Sequence, residues 1–150
     1  MEAYIDSRLV KLLSRIQVDK ISAPFRIFIL AFVYAIGLAL SFWTAYSLRF
    51  DFAIPADYVL SMLEQMIWVL PLKISLLAAM GQFRGLLSYF SIPDLRRLFL
   101  ATGSAALALL VFRYYEPGSH APPRGVILAD FILSLVGLAG VRLEIGRAHV

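Results

Sequence analysis

The run from Ile27 to Leu48 contains no charged residue. About 20 consecutive apolar residues are enough for a helix to cross the hydrocarbon core of a bilayer. Trp43, Tyr46 and Arg49 close the run, and these residue types are typical of the membrane–water interface. The run has no polar face, which makes a soluble four-helix protein a poor alternative. The sequence therefore predicts a membrane-spanning helix.

Composition extends this prediction to the whole chain. Of its 150 residues, 61% are hydrophobic and 16% charged, and the mean hydropathy is +0.80. This length holds roughly four crossings joined by short loops, without room for a separate soluble domain. The formal charge of +4 comes from basic residues beside apolar runs, so the expected partner is the lipid bilayer, with no nucleic acid. The absence of cysteine excludes disulfides and thiolate metal sites.

Three further apolar stretches complete an all-α, polytopic fold of about four transmembrane helices. They run over 58–81, 98–112 and 126–141. The first of these three is interrupted by Pro71, which predicts a kink. Residues 82–97 are predicted to form an interfacial connector, in which Asp94 suits the N-terminus of the third helix. The proline-rich segment from Pro117 to Pro123 is predicted to be a non-helical loop.

A short amphipathic helix is predicted before the first span. Apolar residues recur at helical spacing from Asp6 to Ile16, which fits either a helix on the membrane surface or an exposed lead-in helix. The expected organisation is a cytoplasmic lead-in over 1–26, a four-helix membrane domain over 27–142, and a tail over 143–150.

The distribution of basic residues predicts the orientation. Cytoplasmic segments of bacterial inner-membrane proteins carry an excess of lysine and arginine. The segments before the first span and between the second and third are the richest in these residues, which are Arg8, Lys11, Arg15, Lys20, Arg26, Arg84, Arg96 and Arg97. The opposite loops carry only Arg49, Arg113 and Arg124. A multi-pass protein of the inner membrane with both ends in the cytoplasm is therefore expected.

Glu64, Lys73 and Asp130 are the ionisable residues inside the predicted spans. Such residues are costly in lipid and count as functional candidates by default. With all helices starting at one level, Lys73 lies more than about 10 Å deeper than the two carboxylates, so a direct Lys73–Asp130 pair is expected to be strained and a water-bridged cluster remains open. A structural role is favoured over an ion or proton path, with Glu64 and Asp130 near the outer interface.

Complete catalytic, cofactor-binding and metal sites are not expected in this chain. It lacks a dinucleotide fingerprint, a phosphate loop, an H-E-x-x-H pair and a G-x-S-x-G elbow. The last residues, EIGRAHV from Glu144, resemble the in-frame translation of a common sequencing adapter. We therefore expect 143–150 to be a non-native tail and the natural reading frame to continue.

Three segments resemble the N-terminal membrane region of CapD-like nucleotide-sugar 4,6-dehydratases and epimerases of bacterial polysaccharide biosynthesis. They read AYSLRFDFAIP from Ala45, LPLKISLLAAMGQFRGLLSYFSIPDLRRL from Leu70, and PPRGVILADFILSLVGLAGVRL from Pro122. The resemblance implies a cytoplasmic Rossmann-type domain beyond Arg142 that binds NAD(P). It also implies proximity to enzymes of lipid-linked glycan assembly, and it leaves a homo-oligomer open.

Two other functions stay open at this stage. One is the membrane anchor of a polyprenyl-phosphate sugar-1-phosphate transferase, whose first spans look broadly alike. The other is a stand-alone small membrane protein or transporter subunit, which would need its intramembrane charges for flux. The sequence that follows the fourth helix distinguishes the two kinds of anchor.

Overall fold

The chain folds into four long helices. The computed structural model describes residues 23–83, 91–118 and 120–147. Its helices are α1 (Ala23–Arg49), α2 (Ala56–Ala79), α3 (Ile92–Tyr115) and α4 (Arg124–Arg147), and no strand occurs among these residues. Each helix is long and apolar enough to cross a membrane, which confirms the all-α polytopic class. The predicted amphipathic helix over 6–16 lies outside the described residues.

Helix α3 begins earlier than predicted. The expected interfacial connector ran to residue 97, whereas residues 92–97 form the first turns of α3. The Asp94 carboxylate accepts hydrogen bonds from the Ser91 backbone N–H at 3.4 Å and from its hydroxyl at 2.9 Å. This reciprocal arrangement caps the helix, and Pro93 fits a first turn because its missing N–H has no intrahelical acceptor there.

The other boundaries differ from the predicted ones by a few residues. Helix α2 runs to Ala79 with Pro71 inside it, and the segment after α3 is not helical, as expected. Helix α4 extends past the predicted end at residue 141 as far as Arg147, so part of the predicted tail continues this helix. Residues 148–150 lie outside the described part of the chain.

The helices form an antiparallel ring in which each packs against its neighbours in sequence and α1 also packs against α4. Two clusters of buried residues fill the interior. The distal cluster, which includes Phe42 and Leu109, lies toward the turns 50–55 and 116–123, called here the distal end. The proximal cluster, which includes Leu38 and Leu98, lies toward the start of α1 and the end of α4, called here the proximal end.

The outer surface of this ring is apolar. Large side chains such as Phe32, Leu40 and Ile67 are between 56% and 77% exposed. A soluble bundle would turn such faces inward, whereas in a bilayer they contact lipid at no hydrophobic cost. The exposed surface therefore agrees with the membrane class derived from helix length.

Candidate functional site

A polar layer separates the two apolar clusters. Lys73 lies between Val69 of the distal cluster and Leu77 of the proximal cluster on α2. On α4, Asp130 and Ser134 lie between Ile127 and Leu138, which belong to the same two clusters. All three polar residues are almost fully buried. The layer therefore lies in the middle of the bundle.

Lys73 and Asp130 contact each other directly across the ring. The Lys73 ammonium donates to Asp130 Oδ2 and, at 3.1 Å, to Ser134 Oγ. The Ser134 hydroxyl donates to Asp130 Oδ1 at 3.3 Å. Helices α2 and α4 are diagonal partners without close backbone contact, and this ion pair connects them directly. It is a long-range tether through the centre of the bundle.

The expectation that a direct Lys73–Asp130 pair would be strained by their separation along the bundle is wrong. It assumed parallel helices that all start at one level. A lysine side chain extends toward the N-terminus of its own helix, here the distal end, and α2 and α4 need not start level or run parallel. Asp130 is buried in the polar layer beside Ser134, while its expected position near the outer interface stays a prediction.

Glu64 does not join the other two candidates. It lies on the exposed side of α2, about 12 Å along the helix from Ala56. Its neighbour Gln65 points into the bundle, where its side chain is 2% exposed. The structure thus brings together two of the three predicted intramembrane residues.

In the central layer the charged groups are paired with each other. Each charge is paired and the serine hydroxyl contacts both partners, the arrangement that a buried ion pair requires for stability. Neither of the two distal cavities described below is lined by Lys73 or Asp130. Within 23–83, 91–118 and 120–147, no three histidine or acidic side chains come together to hold a metal ion. This arrangement can hold helices together.

A cavity of about 660 Å³ opens at the distal end. The Tyr46 hydroxyl donates to Gln65 Oε1, and this buried pair is part of the cavity lining. Arg49 and Arg113 also line it, and a neighbouring cavity of about 470 Å³ shares both arginines and adds Arg124. Positively charged side chains of three helices therefore lie close together at the distal end.

Arg142 joins all four helices at the proximal end. Its Nε donates to the Tyr34 hydroxyl of α1 at 2.6 Å, and its Nη2 donates to the carbonyl oxygen of Gln82, just after α2. Its Nη1 lies 3.9 Å from Oδ1 of Asp94 at the start of α3. A single side chain of α4 thus contacts α1, the turn after α2 and the start of α3.

Sequence reasoning missed Ser134, the Tyr46–Gln65 pair and the contacts of Arg142. The spacing of Asp130 and Ser134 was a usable signal, since residues four apart lie on one helix face. Arg142 was interpreted only as the end of the fourth span. No local pattern reveals that it contacts Tyr34, which is 108 positions away along the chain.

Comparison of the chain with models of protein families, with curated proteins and with solved structures finds no match.

Proposed function

We propose that this chain is the membrane-anchoring domain of a nucleotide-sugar 4,6-dehydratase or epimerase of bacterial polysaccharide biosynthesis. An anchor needs apolar spans, a stable interior and a route to a domain on one side of the membrane. The four helices supply the spans, and α1 begins at the same end of the bundle at which α4 ends. A domain that follows α4 would lie on the proximal side, which we propose to be the cytoplasm.

The paired polar layer favours an anchor over a transporter subunit. A proton or ion path needs charged groups that can exchange partners with water or a substrate. Lys73 and Asp130 are bound to each other and to Ser134 between two apolar clusters. The pairing of these groups is the main structural support for the proposal.

The identity of the attached enzyme rests on sequence resemblance. The three resembling segments cover helix ends and joints, namely the end of α1 with the following turn, the joint between α2 and α3, and α4 with the turn before it. The second and third segments also contain Lys73, Asp130 and Arg142, which connect helices in this bundle. The segments that carry the resemblance thus include the residues that determine the packing.

Reading the source gene beyond the codon for Leu143, by a long-read method that avoids the suspected adapter, tests the proposal. A strand followed by G-x-x-G-x-x-G and later by Y-x-x-x-K would support an NAD(P)-dependent dehydratase or epimerase. A fifth membrane segment followed by a basic, acid-paired domain would instead identify a sugar-1-phosphate transferase anchor. A native stop codon near position 150 would contradict both and indicate a small membrane protein.

A further inference from the structure

The distal cavity is lined by positively charged and by uncharged polar side chains. The Tyr46–Gln65 pair lies in its lining, and the rim carries the exposed side chains of Arg49 and Asp57 together with the half-buried Arg113. Tyr58 adds an aromatic ring that is 45% exposed. Aromatic, hydroxyl and guanidinium groups on one concave surface are typical of small polar ligand sites.

The arginines that line these cavities are not neutralised by ion pairs within the part of the chain that the structure describes. No described carboxylate forms an ion pair with Arg49, Arg113 or Arg124, and Asp57 is the one acidic residue that lines either cavity. Arg113 is held in place because its Nη1 donates to the carbonyl oxygens of Gly118 at 2.6 Å and Ala121 at 3.1 Å. No described residue accepts a hydrogen bond from its Nε or Nη2, which leaves these groups for a ligand.

The backbone adds further positive potential. Helices α2 and α4 both begin at the distal end, and the first N–H groups of a helix carry partial positive charge. Arg49 packs against the start of α4, where its Cδ is 3.5 Å from the position that a Cβ on Gly125 would occupy. A guanidinium beside a helix N-terminus is unfavourable unless an anion lies between or near them.

We propose that the distal cavity binds the phosphate group of an anionic lipid headgroup. Guanidinium groups bind phosphate oxygens through paired, charge-assisted hydrogen bonds. The cavity lies at the distal ends of the candidate membrane spans, where headgroups are expected, and Asp57 and Ser61 can contact headgroup hydroxyls. The proposal concerns the end opposite to the attached enzyme domain and is independent of it.

Binding of a phosphatidylglycerol with a fluorescent acyl chain to the whole chain in neutral detergent tests the site. The double variant R49Q/R124Q removes one charge from the rim of the distal cavity and one from the neighbouring cavity, and R96Q/R97Q removes two exposed charges at the proximal end. We expect the Kd to rise at least about tenfold for the first variant and less than about twofold for the second, since one lost charged hydrogen bond corresponds to roughly tenfold. Equal weakening in both variants, or equal wild-type affinity for phosphatidylcholine, would overturn the proposal.

A second pair of variants keeps the charge constant. It tests the site even if the arginine variants do not fold. Ser61 lines the cavity and Ser75 lies exposed on the same helix, and both hydroxyls donate to a carbonyl four residues earlier. Ser61→Phe should place a bulky ring among the lining side chains and weaken phosphatidylglycerol binding, whereas Ser75→Phe should leave it unchanged. Unchanged binding by Ser61→Phe would overturn the proposal.

Competition distinguishes two sources of the phosphate. Displacement of the labelled lipid by glycerol 3-phosphate would support a site that a soluble phosphate ester can fill. Failure of displacement, with binding still dependent on Arg49 and Arg124, would support a phosphate carried by a membrane lipid.

Discussion

Lys73 and Asp130 show how two costly side chains can stabilise a membrane bundle. A lysine or aspartate alone at the centre of a spanning helix disfavours insertion by about 2.5–3.5 kcal/mol. Here each provides the partner that the other needs, and Ser134 contacts both. The pair connects two helices that lie diagonally across the ring without close backbone contact, so its geometry also favours this arrangement of helices.

We predict strong coupling between Lys73 and Asp130. Lys73→Met leaves a carboxylate buried without its cation and should lower the free energy of unfolding by about 3–5 kcal/mol. The double variant Lys73→Met/Asp130→Leu removes both charges and should recover most of that loss. Reversible unfolding in mixed micelles with a denaturing detergent measures both, in a double-mutant cycle.

Glu64→Gln is the matched control because Glu64 is an ionisable residue of the same helix with an exposed side chain. Its effect should stay within about 0.5 kcal/mol, as for most exposed substitutions. If the loss of stability in the double variant equals the sum of the losses from Lys73→Met and Asp130→Leu alone, the ion pair does not stabilise the bundle.

The sequence identified the central residues but not their contact. Lys73 and Asp130 stand out because charges in apolar runs are rare. Their distance could not be estimated well, because counting residues along two helices ignores tilt, the relative height of the helices and the length of a lysine side chain. The Tyr46–Gln65 contact escaped notice for another reason. Tyr46 was interpreted as an interfacial residue, whereas it is fully buried, and neutral polar residues such as Gln65 are common in spanning helices.

At the scale of the helices, Arg142 joins the proximal ends. Its planar guanidinium presents donors in several directions, which suits a residue that contacts Tyr34, the backbone of Gln82 and Asp94 at once. Its side chain is 10% exposed, so these contacts lie largely outside water. The ends of α1, α2 and α3 are thereby held near the end of α4.

We predict that Arg142→Lys destabilises the bundle although it keeps the charge. An ammonium group cannot reach all three partners, and the loss of one or two charged hydrogen bonds should lower the free energy of unfolding by about 2 kcal/mol. Arg97→Lys is the control, because Arg97 is 58% exposed and lies 3.9 Å from Asp94. Its effect should be close to zero. Equal stability of both variants would show that Arg142 contributes charge alone.

The number of helices could be predicted because a long apolar run has few alternatives to a membrane-spanning helix. The ends of the helices could not be predicted in this way. The apolar run of α3 starts only at residue 98 because Arg96 and Arg97 precede it, and Asp94 was expected to suit the helix N-terminus, yet the helix begins at Ile92. A helix can extend beyond the apolar segment whenever a cap is available, and here Ser91 and Asp94 supply it. Hydropathy therefore indicates the buried part of the span better than the helix itself.

For the whole molecule, the distal and proximal ends should face opposite compartments. The chain has no cysteine, so single cysteines can be introduced without background labelling. We predict that His120→Cys, in the distal turn, reacts with a membrane-impermeant maleimide in intact bacterial spheroplasts. Met80→Cys, which replaces a side chain 37% exposed at the proximal end, should react only after lysis. The reverse pattern would invert the proposed orientation, and labelling of both in intact spheroplasts would contradict the four-span arrangement.

The diagonal ion pair has a consequence for biosynthesis. Helix α2 is the least apolar of the four spans, and it emerges from the ribosome long before α4, since Lys73 precedes Asp130 by 57 positions. Until α4 arrives, Lys73 lacks the carboxylate that it contacts in the finished bundle, so α2 is expected to enter lipid incompletely or to stay beside the insertion machinery. A ribosome-bound chain that ends after α3 should then be extracted from membranes more easily than one that includes α4. Synthesis of the last span would thus complete the insertion of the second.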